Sequence, residues 1–392
     1  MVGKGALLIL LISILFALYF APTFISIANG FAAKVICSEI FTGGWDAQFT
    51  VDQEINSLQL PILFSSIDKD SVSVYTFFNL FKRTAKYDKN SQTCTLLPEN
   101  PETILKNSKI IKKNIPENRE AQWPAGTANA YDFENENINY ENLNLILDAA
   151  FHEPVVDGVG IFRRTRAVAV LYDGKIIAER YAPQFNANSR FNGWSMTKSL
   201  FATLIGARIN DGKLKLDQQN LFPEWENDAR ANITLDSLLR ASSGLEFNEA
   251  NALASDTTNM LFFSPSTSDY AINKPLVPSQ GWKYSSGTSN ILSNILRRSF
   301  DNDDDYWNYV DHFFTKINVN SLVIDTDPSG NFIASSFSHA TLRDWARFSL
   351  FASQKGEWLG EQILPKSWFD YSFTPTPSAP LARLYFYYFS NL

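Results

Sequence analysis

The chain has 392 residues, 45% of them hydrophobic and 19% charged, with 9 Trp, 31 Phe and 15 Tyr. That supplies one large core plus appendages and excludes a disordered chain. The formal net charge of -7 comes without any basic cluster, which excludes nucleic acid as a partner, because phosphate binding needs a concentrated field of Lys and Arg.

The first element is apolar. Ala6 to Phe20 carries no charge, and the apolar character continues to Lys34, broken by Pro22, Thr23, Ser26 and Asn29. Read as a helix, residues 6–28 are long enough for a bilayer core of about 30 Å, although a signal peptide fits the same pattern. The reading taken is an uncleaved membrane anchor over residues 1–33. Lys4 and Lys34 leave little charge asymmetry to set its orientation. The remainder is expected on the exoplasmic or periplasmic side, or secreted if the segment is removed. Cys37 and Cys94 are the two cysteines. They are compatible with one disulfide in an oxidising compartment, two unrelated buried thiols being the alternative. Nowhere do Cys and His cluster as a zinc site requires, so no metal is expected.

Residues 34–98 contain short β-like runs such as Val72-Ser73-Val74-Tyr75 and read as a small α+β cap. Residues 99–142 turn to Asn, Glu, Lys and Pro and read as a connector. The main domain is placed at residues 143–392, and no internal repeat of solenoid length interrupts it. Its clearest element is a hairpin: residues 167–172 and 175–181 flank Asp173-Gly174, a pair suited to a tight two-residue turn. After Phe191-Asn192-Gly193-Trp194, the residues Met196, Leu200, Leu204 and Ile205 recur at helical spacing until Gly212, so Ser195 stands at a helix start. A second strong helical pattern begins near Thr341.

A serine hydroxyl is a weak nucleophile until a neighbouring base or charge activates it. Ser195-Met196-Thr197-Lys198 places a hydroxyl and an ammonium on one helical face, at the positive end of the helix dipole. Spacing alone is weak evidence, since Ser66-Ile67-Asp68-Lys69 has it too, in a turn-like stretch with no helix after it. Context separates the two. Around Ser195 stand the hairpin before it, Leu239-Arg240-Ala241-Ser242-Ser243-Gly244-Leu245, Lys283-Tyr284-Ser285-Ser286-Gly287, and the block from Ser335 to Phe348.

This ordered set resembles the β-lactamase-like, penicillin-recognising serine hydrolases, most of all the branch of class C β-lactamases and 6-aminohexanoate-dimer hydrolases, over roughly residues 145–370. The resemblance implies an α/β fold, a central antiparallel sheet flanked by helices, with a mostly helical insert between about 200 and 330. It also implies roles. Ser195 would form the acyl-enzyme, Lys198 would hold the charge of the network, and Tyr284 would move the proton as general base and then acid. Ser286 stands in the substrate-binding position where the family usually has Asn. Cys37 and Cys94 sit where anchored members often carry a pair. No cofactor is implied, and the substrate is a small-molecule or peptide amide or ester.

Members usually continue beyond the block at 335–348 with a Lys-Thr-Gly or His-x-Gly strand that closes the sheet and supplies an oxyanion donor. Here Leu384-Tyr385-Phe386-Tyr387-Tyr388-Phe389 reads as the entry to that segment, so the closing strands are expected to be missing. The alternative is therefore a non-catalytic or truncated binding protein of the same fold. A Ser-His-Asp triad using His339 and Asp344 is excluded, because the nucleophile elbow needs glycine where this chain has Thr197. His152 and His312 carry no pattern of their own.

Overall fold

The computed structural model describes residues 21–55, 63–99, 118, 120–128, 135–156, 159–160, 163–250, 252, 254–277 and 281–379. Helix α1, Ala21–Thr42, ends in a wide turn over Ser38–Thr42, and the short α2, Ala47–Thr50, follows with Asp46 capping the Phe49 amide. Four strands then form an antiparallel meander in the order β1-β2-β3-β4: β1 Phe64–Ile67, β2 Ser71–Thr76, β3 Leu80–Asp88 and β4 Thr93–Leu96. The duplicate Ser66–Lys69 spacing falls on β1 and the turn after it, where no helix can bring the two side chains together.

Helix α3, Tyr140–Phe151, opens the expected main domain, followed by the two-residue strands β5, Val155–Val156, and β6, Val159–Gly160. The anticipated hairpin is β7, Ala167–Tyr172, with β8, Lys175–Tyr181; Asp173 and Gly174 take positive φ angles of 48° and 71°, and Tyr172 pairs with Lys175. Strand β9, Arg190–Asn192, leads through a 3-10 turn at Trp194–Met196 into α4, Thr197–Asn210. Residues 197–208 of α4 are all buried, so this helix is the axis of the domain. Against it packs α8 Ser286–Arg298, on which α5 Leu235–Leu239, α6 Asp256–Phe262, α7 Thr267–Ile272 and α9 Asp303–Lys316 pack in turn. They form the expected helical insert. Strands β10, Val323–Ile324, and β11, Ser338–Thr341, join β9 in an antiparallel sheet ordered β10-β11-β9. Helix α10, Leu342–Ser353, capped by Thr341, packs on β7 and β11. The described residues close with β12 Glu357–Trp358, β13 Glu361–Gln362 and α11 Lys366–Phe373. The sequence stretch 384–389 lies outside them.

Helix α1 is long and apolar enough to cross a membrane, with a mean hydropathy of 1.4, yet most of it is packed inside the protein. Ile27, Ala32, Ala33, Val35 and Ile36 are each exposed by 1% or less. The boundary read at residues 33 and 34 falls within this continuous helix; the part of the expected anchor before residue 21 lies outside the described residues. Gly30 lets α1 approach α6 closely, since a Cβ there would stand 2.5 Å from the Phe262 carbonyl oxygen.

Among the links that hold α1 to the rest, two lie one turn apart near its end. Cys37 is disulfide-bonded to Cys94 of β4. One turn earlier, the buried Lys34 ammonium pairs with the Asp325 carboxylate and donates to the Cys94 carbonyl (2.5 Å) and to Ser38 Oγ (3.3 Å). Asp325 also accepts from Ser38 Oγ at 2.8 Å and from the Cys94 amide at 3.0 Å. Burial pulls the Lys34 ammonium below its ordinary range, against the opposing pull of Asp325 and Glu39. A charged lysine is tolerated in this apolar helix because its partners surround it.

Candidate active site

Ser195 lies in the 3-10 turn that feeds α4, and the turn is fastened to β11. Gly193 N–H donates to the Ser338 carbonyl at 2.7 Å, and Thr197 Oγ1 lies 2.6 Å from Ser338 Oγ. Trp194 adopts φ 41°, a left-handed conformation unusual for a bulky residue, with its indole against Phe337 at 5.4 Å. Close packing enforces this bend. A Cβ on Gly193 would stand 2.4 Å from the Trp345 ring, which is itself fixed by its bond to the Phe191 carbonyl. Gly193→Ala is therefore expected to displace the turn that carries Ser195 and to lower the kcat/KM of any reaction at that hydroxyl about a hundredfold. Steady-state kinetics beside a thermal melt would separate this from unfolding.

Lys198 is the second residue of α4, one turn after Ser195, and is 1% exposed. Its Nζ donates to Ser195 Oγ at 3.1 Å, Ser286 Oγ at 3.2 Å and the Ser335 carbonyl at 2.9 Å. Those are three acceptors for the three N–H bonds of an ammonium. Burial lowers its pKa to about 8, while the negative charge of Glu249 acts in the opposite direction. Roughly one molecule in ten then carries the neutral amine at pH 7.

Tyr284 comes from the loop before α8. The Lys198 ammonium stands 4.9 Å from its ring centroid. The loop is positioned by the 239–245 block: the Lys283 amide donates to the Ala241 carbonyl at 2.8 Å, and the Val277 amide to the Gly244 carbonyl at 2.7 Å. Gly244, with φ 74°, supplies the reversal. Ser195, Tyr284, Ser286, Glu249 and Ser336 line one cavity of about 700 Å³. Ser195, Lys198, Tyr284 and Ser286, singled out from two separate stretches of sequence, therefore come together.

Two partners had no sequence signal that marked them. Glu249 sits in the irregular stretch after α5 and accepts from both the Ser286 hydroxyl (2.5 Å) and the Ser286 amide (2.7 Å). A charged residue in a polar loop looks solvated until the fold turns it inward. The other is the Ser335 carbonyl, a backbone group in a block read for its resemblance alone. His339 lies elsewhere, fully buried on β11 with Nε2 3.5 Å from Glu39, and Asp344 is tied to Arg347 and Ser321. Among the described residues no cluster of His, Cys, Asp and Glu is arranged to hold a metal.

The model of the beta-lactamase family matches residues 161–389. A Bacillus anthracis protein described as a 6-aminohexanoate-dimer hydrolase superposes with a TM-score of 0.50 at 20% identity, over 62% of this chain and 66% of that one. An octameric penicillin-binding protein homologue from Pyrococcus abyssi superposes with a TM-score of 0.47 at 15% identity, over 63% and 64% of the two chains. The chain thus spans about two thirds of the length of these relatives. No curated protein matches it. At such identities a structural likeness establishes the fold, whereas the family match runs over more than half of the sequence and takes in Ser195, Lys198 and Tyr284; on that ground the chain belongs to the beta-lactamase family of serine hydrolases.

Proposed function

We propose that the chain hydrolyses an ester or amide through an acyl-enzyme on Ser195, at a membrane on the exported side. The reading is carried by one observation, the 3.1 Å hydrogen bond between Ser195 Oγ and a buried Lys198 whose pKa is lowered to about 8. Neutral Lys198 accepts the proton as Ser195 Oγ bonds to the substrate carbonyl carbon. The bond to the leaving alcohol or amine then breaks, and that group takes a proton from Lys198, directly or through the Tyr284 hydroxyl. Water repeats the sequence at the acyl carbon, releasing the acid and returning the proton to Ser195. The start of α4 favours the negative charge that develops on oxygen.

The Ser286–Glu249 pair stands where an asparagine would otherwise offer its amide. A carboxylate behind a hydroxyl provides acceptors and keeps negative charge near Lys198, which favours its protonated form between turnovers. For the location, the supports are the Cys37–Cys94 bond, which suits an oxidising compartment, and the apolar stretch that runs into α1. A fluorophosphonate probe tests the chemistry. Wild-type protein is expected to gain one covalent label by intact mass, and Ser195→Ala none; equal labelling of the two would remove Ser195 from the reaction.

A further inference from the structure

We infer that the acyl half of the substrate is an extended aliphatic chain, held between α1 and α6. This rests on the proposed Ser195 chemistry and adds its substrate class. The cavity has two unlike parts. Ser195, Tyr284, Ser286, Glu249 and Ser336 make up a polar part, while Ile27, Ala28 and Phe31 of α1 and Leu261 and Phe262 of α6 supply apolar lining, with the uncharged Thr257 and Thr258 of α6 beside them. Ile27, Ala28 and Phe31 lie on one helical face, at spacings of one and four residues. The two helices cannot slide together to close the space. They already touch at Gly30 against the Phe262 carbonyl, and Phe31 and Phe262 meet edge to face at 5.2 Å.

A volume of about 700 Å³ is within the range of sites that bury an entire small ligand. Apart from Glu249 and Tyr284, the side chains lining it carry no titratable group, so none of the described lining residues beyond the polar part could pair with a second charge on the substrate. Throughout both half-reactions the acyl group stays bonded to Ser195 Oγ, and the leaving group must depart to solvent. The buried apolar part therefore suits the acyl group. Each methylene moved from water into such a site is worth roughly fourfold in binding. An octanoyl group, six methylenes longer than acetyl, gains well over tenfold even if half of them are accommodated.

The test uses the full chain with p-nitrophenyl acetate and p-nitrophenyl octanoate below micellar concentration. Wild type is expected to favour octanoate by at least about tenfold in kcat/KM. Ala28→Trp, which fills the apolar part, should cut the octanoate-to-acetate ratio at least about tenfold; taking a ratio within each protein cancels partitioning of the ester and partial loss of fold. A wild type indifferent to chain length, or a ratio unmoved by Ala28→Trp, overturns the inference and leaves Ser195 acylation standing. A parallel binding measurement by calorimetry on Ser195→Ala compares octanamide with acetamide. If neither ester is cleaved, the hydrolase reading fails, yet tighter octanamide binding, weakened by Ala28→Trp, still upholds the chain site, and equal binding of the two amides still removes it.

Discussion

Lys198→Met is expected to abolish turnover, with a loss of about 10³-fold or more in kcat/KM, while making the fold more stable. The first effect follows from removing the only amine within hydrogen-bond reach of Ser195 Oγ among the described contacts. The second follows from the depressed pKa. A lysine that titrates at about 8 in the folded chain and at 10.5 when unfolded binds its proton less well in the native state. That difference costs roughly 3 kcal/mol at neutral pH. The hydrogen bonds given up to Ser195, Ser286 and Ser335 offset part of it, leaving a net gain of about 1–3 kcal/mol for the methionine variant. The sign with pH is fixed. Below pH 8 both states hold the proton and the penalty is complete; between 8 and 10.5 the native state loses the proton first, and the penalty fades. Denaturant unfolding at pH 7 and pH 10 should therefore show the advantage of Lys198→Met shrinking as pH rises. In the wild type, kcat/KM should climb about tenfold per pH unit up to about 8 and then level, as expected for an essential base with that pKa. A flat profile from pH 6 to 9 would exclude neutral Lys198 as the base.

Asp325→Ala is expected to destabilise the fold by about 3–5 kcal/mol, because it leaves Lys34 charged, buried and without its carboxylate. The damage is not local. Asp325 also receives the Ser38 hydroxyl and the Cys94 amide, so its loss strands donors on both α1 and β4. A double variant, Lys34→Met with Asp325→Leu, removes both charges and should recover most of the loss. Equilibrium unfolding of the three proteins checks this; a double variant as unstable as Asp325→Ala would mean that the charge pair is not the source of the effect.

Local features were legible in the sequence and long-range ones were not, for a physical reason. The β7–β8 hairpin follows from two residues that accept positive φ, and α4 follows from apolar spacing within fourteen residues. The closeness of Ser195 and Lys198 follows from the pitch of a helix. Tyr284 could be associated with them through resemblance to a family, because no local rule links a residue to another nearly ninety positions away. Glu249 and the Lys34–Asp325 pair belong to that second kind. The latter joins residues 291 apart, and a lone lysine at the end of an apolar run looks like the flank of a membrane segment. The same ambiguity makes residue 33 look like an end in the sequence although α1 continues through it. Hydropathy reports that a helix avoids water, and a protein core satisfies that condition as well as lipid does.

The place of Ile27, Ala28 and Phe31 in the cavity wall limits how such a chain can be matured. The small residues Ala28, Ala32 and Ala33 are the kind that leader peptidases favour, but trimming at any of them would unroof the pocket, and the later two would leave Lys34 at or beside a raw amino terminus. Any proteolytic trimming compatible with an intact pocket has to occur ahead of Ile27. Shortened or fused forms of the chain should keep everything from Ala21 onward.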